Sequence, residues 1–173
     1  MFGHSETGVF DMQIFLVALA VGLIATFGVG AVGGFGAGFV AFLIWIGAVL
    51  VLGWVLSAVA TRQVTLGTSA SVGLVMETIL DEFGTFGWKR VDGRGALNFK
   101  PRGFGMSAAT LKKPVVSIDV ERVDDGITQV DIWMSQWSTQ GGIVGFCDRV
   151  VTKVWLLQRR VVQLEADMRS DAQ

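Results

Sequence analysis

The side chains that could attack a substrate or carry a proton near neutral pH are few and scattered. His4 is the only histidine and Cys147 the only cysteine, and Ser107 and Thr110 have no histidine beyond the one near the N-terminus. Nucleophilic catalysis needs a hydroxyl or thiol within reach of a base, and no such pairing is written here. Cys147 falls on an apolar helical stripe, where cysteine serves as a small hydrophobe. A single cysteine also excludes an internal disulfide and a multi-cysteine zinc site. Asp92, Asp124 and Asp125 are explained by turn chemistry. Gly28-Val-Gly30-Ala-Val-Gly33 matches G-x-G-x-x-G, but no strand precedes it, and a dinucleotide loop needs one. The chain reads as non-enzymatic, with no cofactor and no metal. One pair of carboxylates, Asp119 and Asp131, is taken up below.

The elements around these residues explain the scarcity. The chain has 173 residues, is 51% hydrophobic, and carries a net charge of -1. Residues 12–61 contain no Asp, Glu, Lys, Arg or His, and all fourteen Lys and Arg lie at or after Arg62. Fifty helical residues would be about 75 Å long, against a hydrocarbon core of about 30 Å. Two spans with a turn use that length. The turn belongs where glycine weakens the helix, at Gly33-Gly34-Phe35-Gly36-Ala37-Gly38. The expectation is a transmembrane helical hairpin with spans near 13–33 and 39–60, preceded by an acidic tail over 1–11. That tail lacks the basic start of a signal peptide, and Ala18-Leu19-Ala20 comes too early for a cleavage site. The spans hold no ionisable residue, so no proton relay or ion pathway is indicated. Arg62 beside span two places both termini in the cytoplasm, in the plasma (inner) membrane. Gly30, Gly34 and Gly38 repeat every four residues, either as a packing face for another membrane helix or simply as turn formers.

Residues 62–173 read as an α+β domain. Val72, Val75, Met76, Ile79, Leu80 and Phe83 form one helical face, capped by Ser69 or Ser71 and stopped at Gly84. A type I′ turn at Asp92-Gly93 would set Trp88 opposite Leu97 and Phe86 opposite Phe99. A second hairpin follows Pro114. A three-residue loop with Gly126 left-handed pairs Val120 with Val130, Ile118 with Ile132 and Val116 with Met134. It also sets Asp119 against Asp131, a like-charge pair that a bound cation or a neighbouring Lys or Arg would relieve. Trp133 and Trp137 fall on the face opposite the Val130, Ile132 and Met134 row and need covering by a partner, the membrane interface or the domain's own loops. After Gly141-Gly142 a helix over about 143–168 carries a heptad seam of Ile143, Cys147, Val150, Val154, Leu157, Val161, Leu164 and Met168. Val144, Val151, Trp155 and Val162 widen it. The predicted order is helix, two antiparallel hairpins, helix, with a four-stranded antiparallel sheet.

Charge is segregated within the domain. Lys89, Arg90, Arg94, Lys100, Arg102, Lys112 and Lys113 face one acid, Asp92, between residues 86 and 113, whereas residues 114–148 hold six acids and one base. The basic stretch is a candidate for anionic head groups. Nucleic acid is a poorer partner, since the domain is nearly neutral and Trp88 and Phe99 point inward.

This arrangement of a short tail, a tight two-span hairpin over 12–61 and a mixed domain resembles small accessory membrane subunits of transport complexes, the LucA/LucB-type proteins of Mce lipid importers. The resemblance covers architecture and carries over no functional residue. It implies a non-catalytic accessory or scaffolding subunit of a membrane complex, plausibly one for lipid transport. Docking candidates are Gly30, Gly34, Gly38, Trp133, Trp137, Trp155, Leu157, Val161 and Leu164. A membrane-tethered lipid- or ligand-binding domain and a small homo-oligomeric channel are the alternatives.

Overall fold

A computed structural model describes residues 13–84, 86–103, 112–123 and 126–171. The acidic tail with His4, and Ser107, Thr110, Asp124 and Asp125, lie outside the described residues. The apolar run is one helical element, α1 (Gln13–Ala60), where two separate helices and a glycine turn were expected. Its backbone stays helical through Gly33, Gly36 and Gly38. The one non-helical residue within it is Gly34, at φ 81° and ψ 174°, a region essentially closed to residues with a Cβ. A single glycine thus does the work assigned to a longer turn.

The arms on either side of Gly34 touch. A Cβ on Gly38 would lie 2.8 Å from the Cα of Gly30, and one on Gly22 would overlap the indole of Trp45. On a straight axis, residues 22 and 45 would be about 35 Å apart. The outer surface of α1 remains apolar and open, with Ile24, Phe27, Val32, Phe35 and Ile44 all exposed. Among the described residues it is the one helix long and apolar enough to cross a membrane.

Beyond α1 the order is β1 (Val64–Thr68), α2 (Val72–Phe83), β2 (Trp88–Arg90), β3 (Leu97–Pro101), β4 (Val115–Arg122), β5 (Thr128–Gln136), β6 (Thr139–Gln140), β7 (Ile143–Val144) and α3 (Cys147–Asp171). The sheet has five antiparallel strands, not four, in the order β1-β5-β4-β3-β2. The added strand is β1. It sets Val64 against Ile132 and Leu66 against Val130, so its alternation continues the core face. Its brevity and Gly67 conceal it between two helical patterns. The hairpin β4–β5 has the expected register, including Asp119 against Asp131, and Gly126 sits at φ 98°.

The hairpin β2–β3 corrects the sequence reading. Trp88 lies opposite Pro101, not Leu97, and Arg90, not Phe86, lies opposite Phe99. The type I′ turn at Asp92-Gly93 is replaced by a wider loop built on Asn98. The Asn98 Oδ1 accepts from the Gly95 amide at 3.0 Å, and its Nδ2 donates to the Gly95 carbonyl at 2.6 Å. The register slips by an even number of residues, so Trp88, Leu97 and Phe99 still face inward. Phe86 leaves the sheet altogether and is 94% exposed.

Helices α2 and α3 cover the inward face of the sheet. Ser71 caps α2 by accepting from the Leu74 amide, and Gly84 ends it. Phe83 meets Trp88 edge-on at 5.1 Å and stacks on Phe99 at 4.4 Å. Beside this aromatic cluster is a buried ion pair that apolar periodicity does not reveal. Lys153 Nζ lies 2.7 Å from Glu82, and Arg160 reaches Glu82 at 2.8 Å and Asp81 at 2.7 Å. Lys153 and Glu82 are both buried.

The facing carboxylates receive neutral donors. Asp119 accepts from the Ala96 amide at 2.6 Å, and Asp131 accepts from Thr65 at 2.5 Å and Gln129 at 2.8 Å. The Thr65 hydroxyl, then Gln129, hold the Asp131 carboxyl below its ordinary value. A depressed carboxyl stabilises the fold at neutral pH, and that contribution disappears as pH falls through the folded-state value. Asp131→Asn therefore flattens the stability-versus-pH curve below about pH 4, near the unperturbed Asp value, and leaves the alkaline side unchanged. Denaturant titrations at pH 3 and pH 7 test this. Parallel wild-type and variant curves across that range would dismiss it.

Candidate interaction surfaces

The junction between α1 and the domain is a fixed joint. Gly141 and Gly142 have φ of 58° and 79°, which gives the β6–β7 hairpin the two-positive-φ turn that type I′ geometry requires. This turn ends the approach to α3, so α3 begins at Cys147 rather than near residue 143. The hairpin brings the Gly141 carbonyl to the Trp54 indole N–H at 3.0 Å. Next to it the Val144 amide donates to the Ser57 hydroxyl at 2.8 Å, and that hydroxyl donates to the Gly53 carbonyl at 2.7 Å. Ser57 is buried, and a buried hydroxyl that both accepts and donates holds its two elements in one relative position. The Cys147 sulfur approaches the Gly53 carbonyl at 3.9 Å. Burial pushes the Cys147 thiol up, away from the thiolate a nucleophile needs.

The basic side chains gather at the same end of the domain. The Ser138 hydroxyl donates to the Lys112 carbonyl at 3.0 Å, and the Gly145 amide to the Ser138 carbonyl at 3.1 Å. The Lys113 ammonium lies 5.1 Å above the Phe146 ring and donates to the Gly103 carbonyl at 3.2 Å. Arg149, one turn into α3, donates to the carbonyls of Gly87 and Arg102. Lys89 and Lys100 face each other across β2 and β3. Desolvation first, then the charges of Arg149, Lys100 and Lys89, hold the Lys113 ammonium below its ordinary value. Of the seven bases singled out in the sequence, Arg94 belongs to the loop at the other end, beside the Asp119 partner Ala96.

No protein-family model, curated protein or solved structure matches this chain.

The docking candidates separate into two groups. Leu157 and Val161 are buried within the domain, so the first row of the α3 seam is core and a partner does not reach it. Gly30 and Gly38 are occupied with each other, and Gly34 makes the break in α1. Leu164 is half-buried against the core. What stays open is the second row of α3, with Trp155 50% and Val162 65% exposed. Trp155 carries the Arg159 guanidinium 4.8 Å over its ring. Trp133 is half-buried on β5, between core-facing Ile132 and Met134, and Trp137 is exposed near the β6–β7 hairpin. Trp133, Trp155, Val59, Val64, Val151 and Val154 surround an apolar cavity of about 160 Å³. Ligand pockets start near 300 Å³, so this one holds no more than a fragment of a lipid tail. A second groove lies between the arms of α1, walled by Phe27, Phe35, Phe39 and Phe42.

Proposed function

We propose that the chain is a non-catalytic, membrane-anchored accessory subunit that docks a larger membrane complex through its anchor and its domain together. The two arms of α1 cross the bilayer, folded back at Gly34, with both ends on the cytoplasmic side of the plasma membrane. From Gly34 to Trp54 is about 20 residues, or roughly 30 Å of helix, the thickness of the hydrocarbon core. The remaining turns to Ala60 stand outside the lipid, where Ser57 and Ala60 are buried by the domain. Span two therefore ends near Trp54, and tryptophan is the residue that favours this boundary.

The observation that carries the proposal is a set of exposed apolar side chains on both sides of the junction between α1 and α3. Val55 and Val59 on α1 and Trp155 and Val162 on α3 are exposed, and Val59 and Trp155 line one cavity. The Ser57–Val144 joint fixes the two halves of this surface in register. A partner with both a membrane helix and a cytoplasmic face fits it. Purification from native membranes in mild detergent gives a complex larger than the single chain, and Trp155→Glu releases the partner while the domain remains folded. A lone monomer at native expression overturns the proposal. A homo-oligomer with ion flux in liposomes would establish the channel reading instead. Tethered ligand binding finds no room in the cavity beside Trp155, at about 160 Å³, but the apolar groove between the arms of α1, at about 600 Å³, is of ligand size and supports that second reading.

A further inference from the structure

We infer that the anchor-side end of the domain is a recognition surface for anionic phospholipid head groups, formed by Lys89, Lys100, Arg102, Lys112 and Lys113. The inference rests on the reading that α1 crosses the bilayer, and it names a lipid as the ligand of a defined face.

Trp54 marks the lipid boundary, and the β6–β7 hairpin touches it at Gly141. The start of α3 is level with Gly53 through Cys147. Everything tied to these segments shares that level. Lys112 is held by Ser138, Lys113 lies over Phe146, and Arg102 and Gly87 are bound by Arg149. The strand β5 runs from the distal end toward this one, and β4 runs away from it. Asp119, Glu121 and Asp131 therefore occupy the distal half, whereas Lys89, Lys100, Arg102, Lys112 and Lys113 lie at the anchor-side end, with Asp148 as an acid beside them at the start of α3. Two exposed aromatics, Phe86 and Trp137, stand at the same end, and such side chains insert at a bilayer interface.

Electrostatic crowding points the same way. Lys89 faces Lys100 directly across the sheet edge, and both act on Lys113. Like charges placed opposite one another weaken a hairpin. Phosphate groups between them remove that repulsion. An acidic protein could also neutralise this face, but the hairpin and the start of α3 meet α1 at Trp54 and Gly53, so a bilayer crossed by α1 is the nearer source of anionic groups.

The test uses the full chain in phosphatidylcholine bilayers with spin-labelled phosphatidylglycerol or phosphatidylcholine as probe. Wild type selects the anionic probe by several-fold at low salt, each base near the surface contributing up to about fivefold, and loses the preference at 1 M salt. The variant K89Q/K100Q/K112Q/K113Q selects neither probe, whereas R94Q keeps the wild-type preference. Equal association of both probes with wild type, or equal loss in R94Q, overturns the inference. Carbonate extraction of the same membranes separates the two readings. A chain released by carbonate refutes the anchor, and a chain that stays embedded without lipid preference refutes this surface alone.

Discussion

Glu82→Ala lowers the unfolding free energy of the domain by about 3–5 kcal/mol, the cost of leaving a buried charge without its partner. Lys153 is 1% exposed, and its ammonium lies 2.7 Å from the Glu82 carboxylate, between α2 and α3. Alanine at residue 82 removes that carboxylate and also the 2.8 Å contact to Arg160. Arg160 is partly exposed and retains Asp81, so most of the loss arises at Lys153. Replacing both partners with apolar residues of similar size, Glu82→Leu with Lys153→Met, recovers most of the stability, because the pair's attraction is largely offset by desolvation. Urea unfolding followed by tryptophan fluorescence measures both variants. A loss below about 1 kcal/mol for the single variant would show that the pair contributes no more than a surface bridge.

The second large effect lies in α1. Gly38→Leu forces the arms apart, since even a Cβ there lies 2.8 Å from the Gly30 backbone, which has no side chain to move aside. Overpacking typically costs about 1–3 kcal/mol, and a backbone clash falls at the upper end. Gly47→Leu is the internal control. Nothing lies within 4 Å of a Cβ at Gly47, and leucine is the better helix former by several tenths of a kcal/mol. Resistance of the full chain to SDS falls in the first variant and holds or rises in the second. Indistinguishable curves would mean that the arms do not depend on this contact.

The sequence made some elements legible and hid others, for identifiable reasons. The β4–β5 hairpin was readable because strict alternation leaves one register in which Val120, Ile118 and Val116 all meet apolar partners. Helix α2 was readable because its apolar spacing, Ser71 and Gly84 agree. The β2–β3 register was not, because the Asp-Gly turn signal is local, whereas Asn98 acts through a side chain bonded to Gly95. The strand β1 escaped because five residues with a glycine carry little pattern of their own and gain their place from β5. In α3, periodicity revealed a wide apolar surface but could not say which row α2 and the sheet would cover. Leu157 and Val161 went inward, and Trp155 and Val162 stayed out. Lys153 and Glu82 were invisible to a method that counts charges as solvent-facing. The basic residues were counted correctly along the chain, but only the fold shows that Arg94 is removed from the rest.

The short link from α1 to β1 also orders events during synthesis. Val64 leaves the ribosome directly behind α1, yet its partner Ile132 follows about 70 residues later, several seconds at roughly 5–20 residues per second. Throughout that interval β1 has no sheet neighbour, since β5 is the strand it pairs with, and its hydrogen-bonding groups stay unclaimed. Closing so distant a pairing is slow in any setting, so assembly of the nascent chain is paced by the arrival of β5.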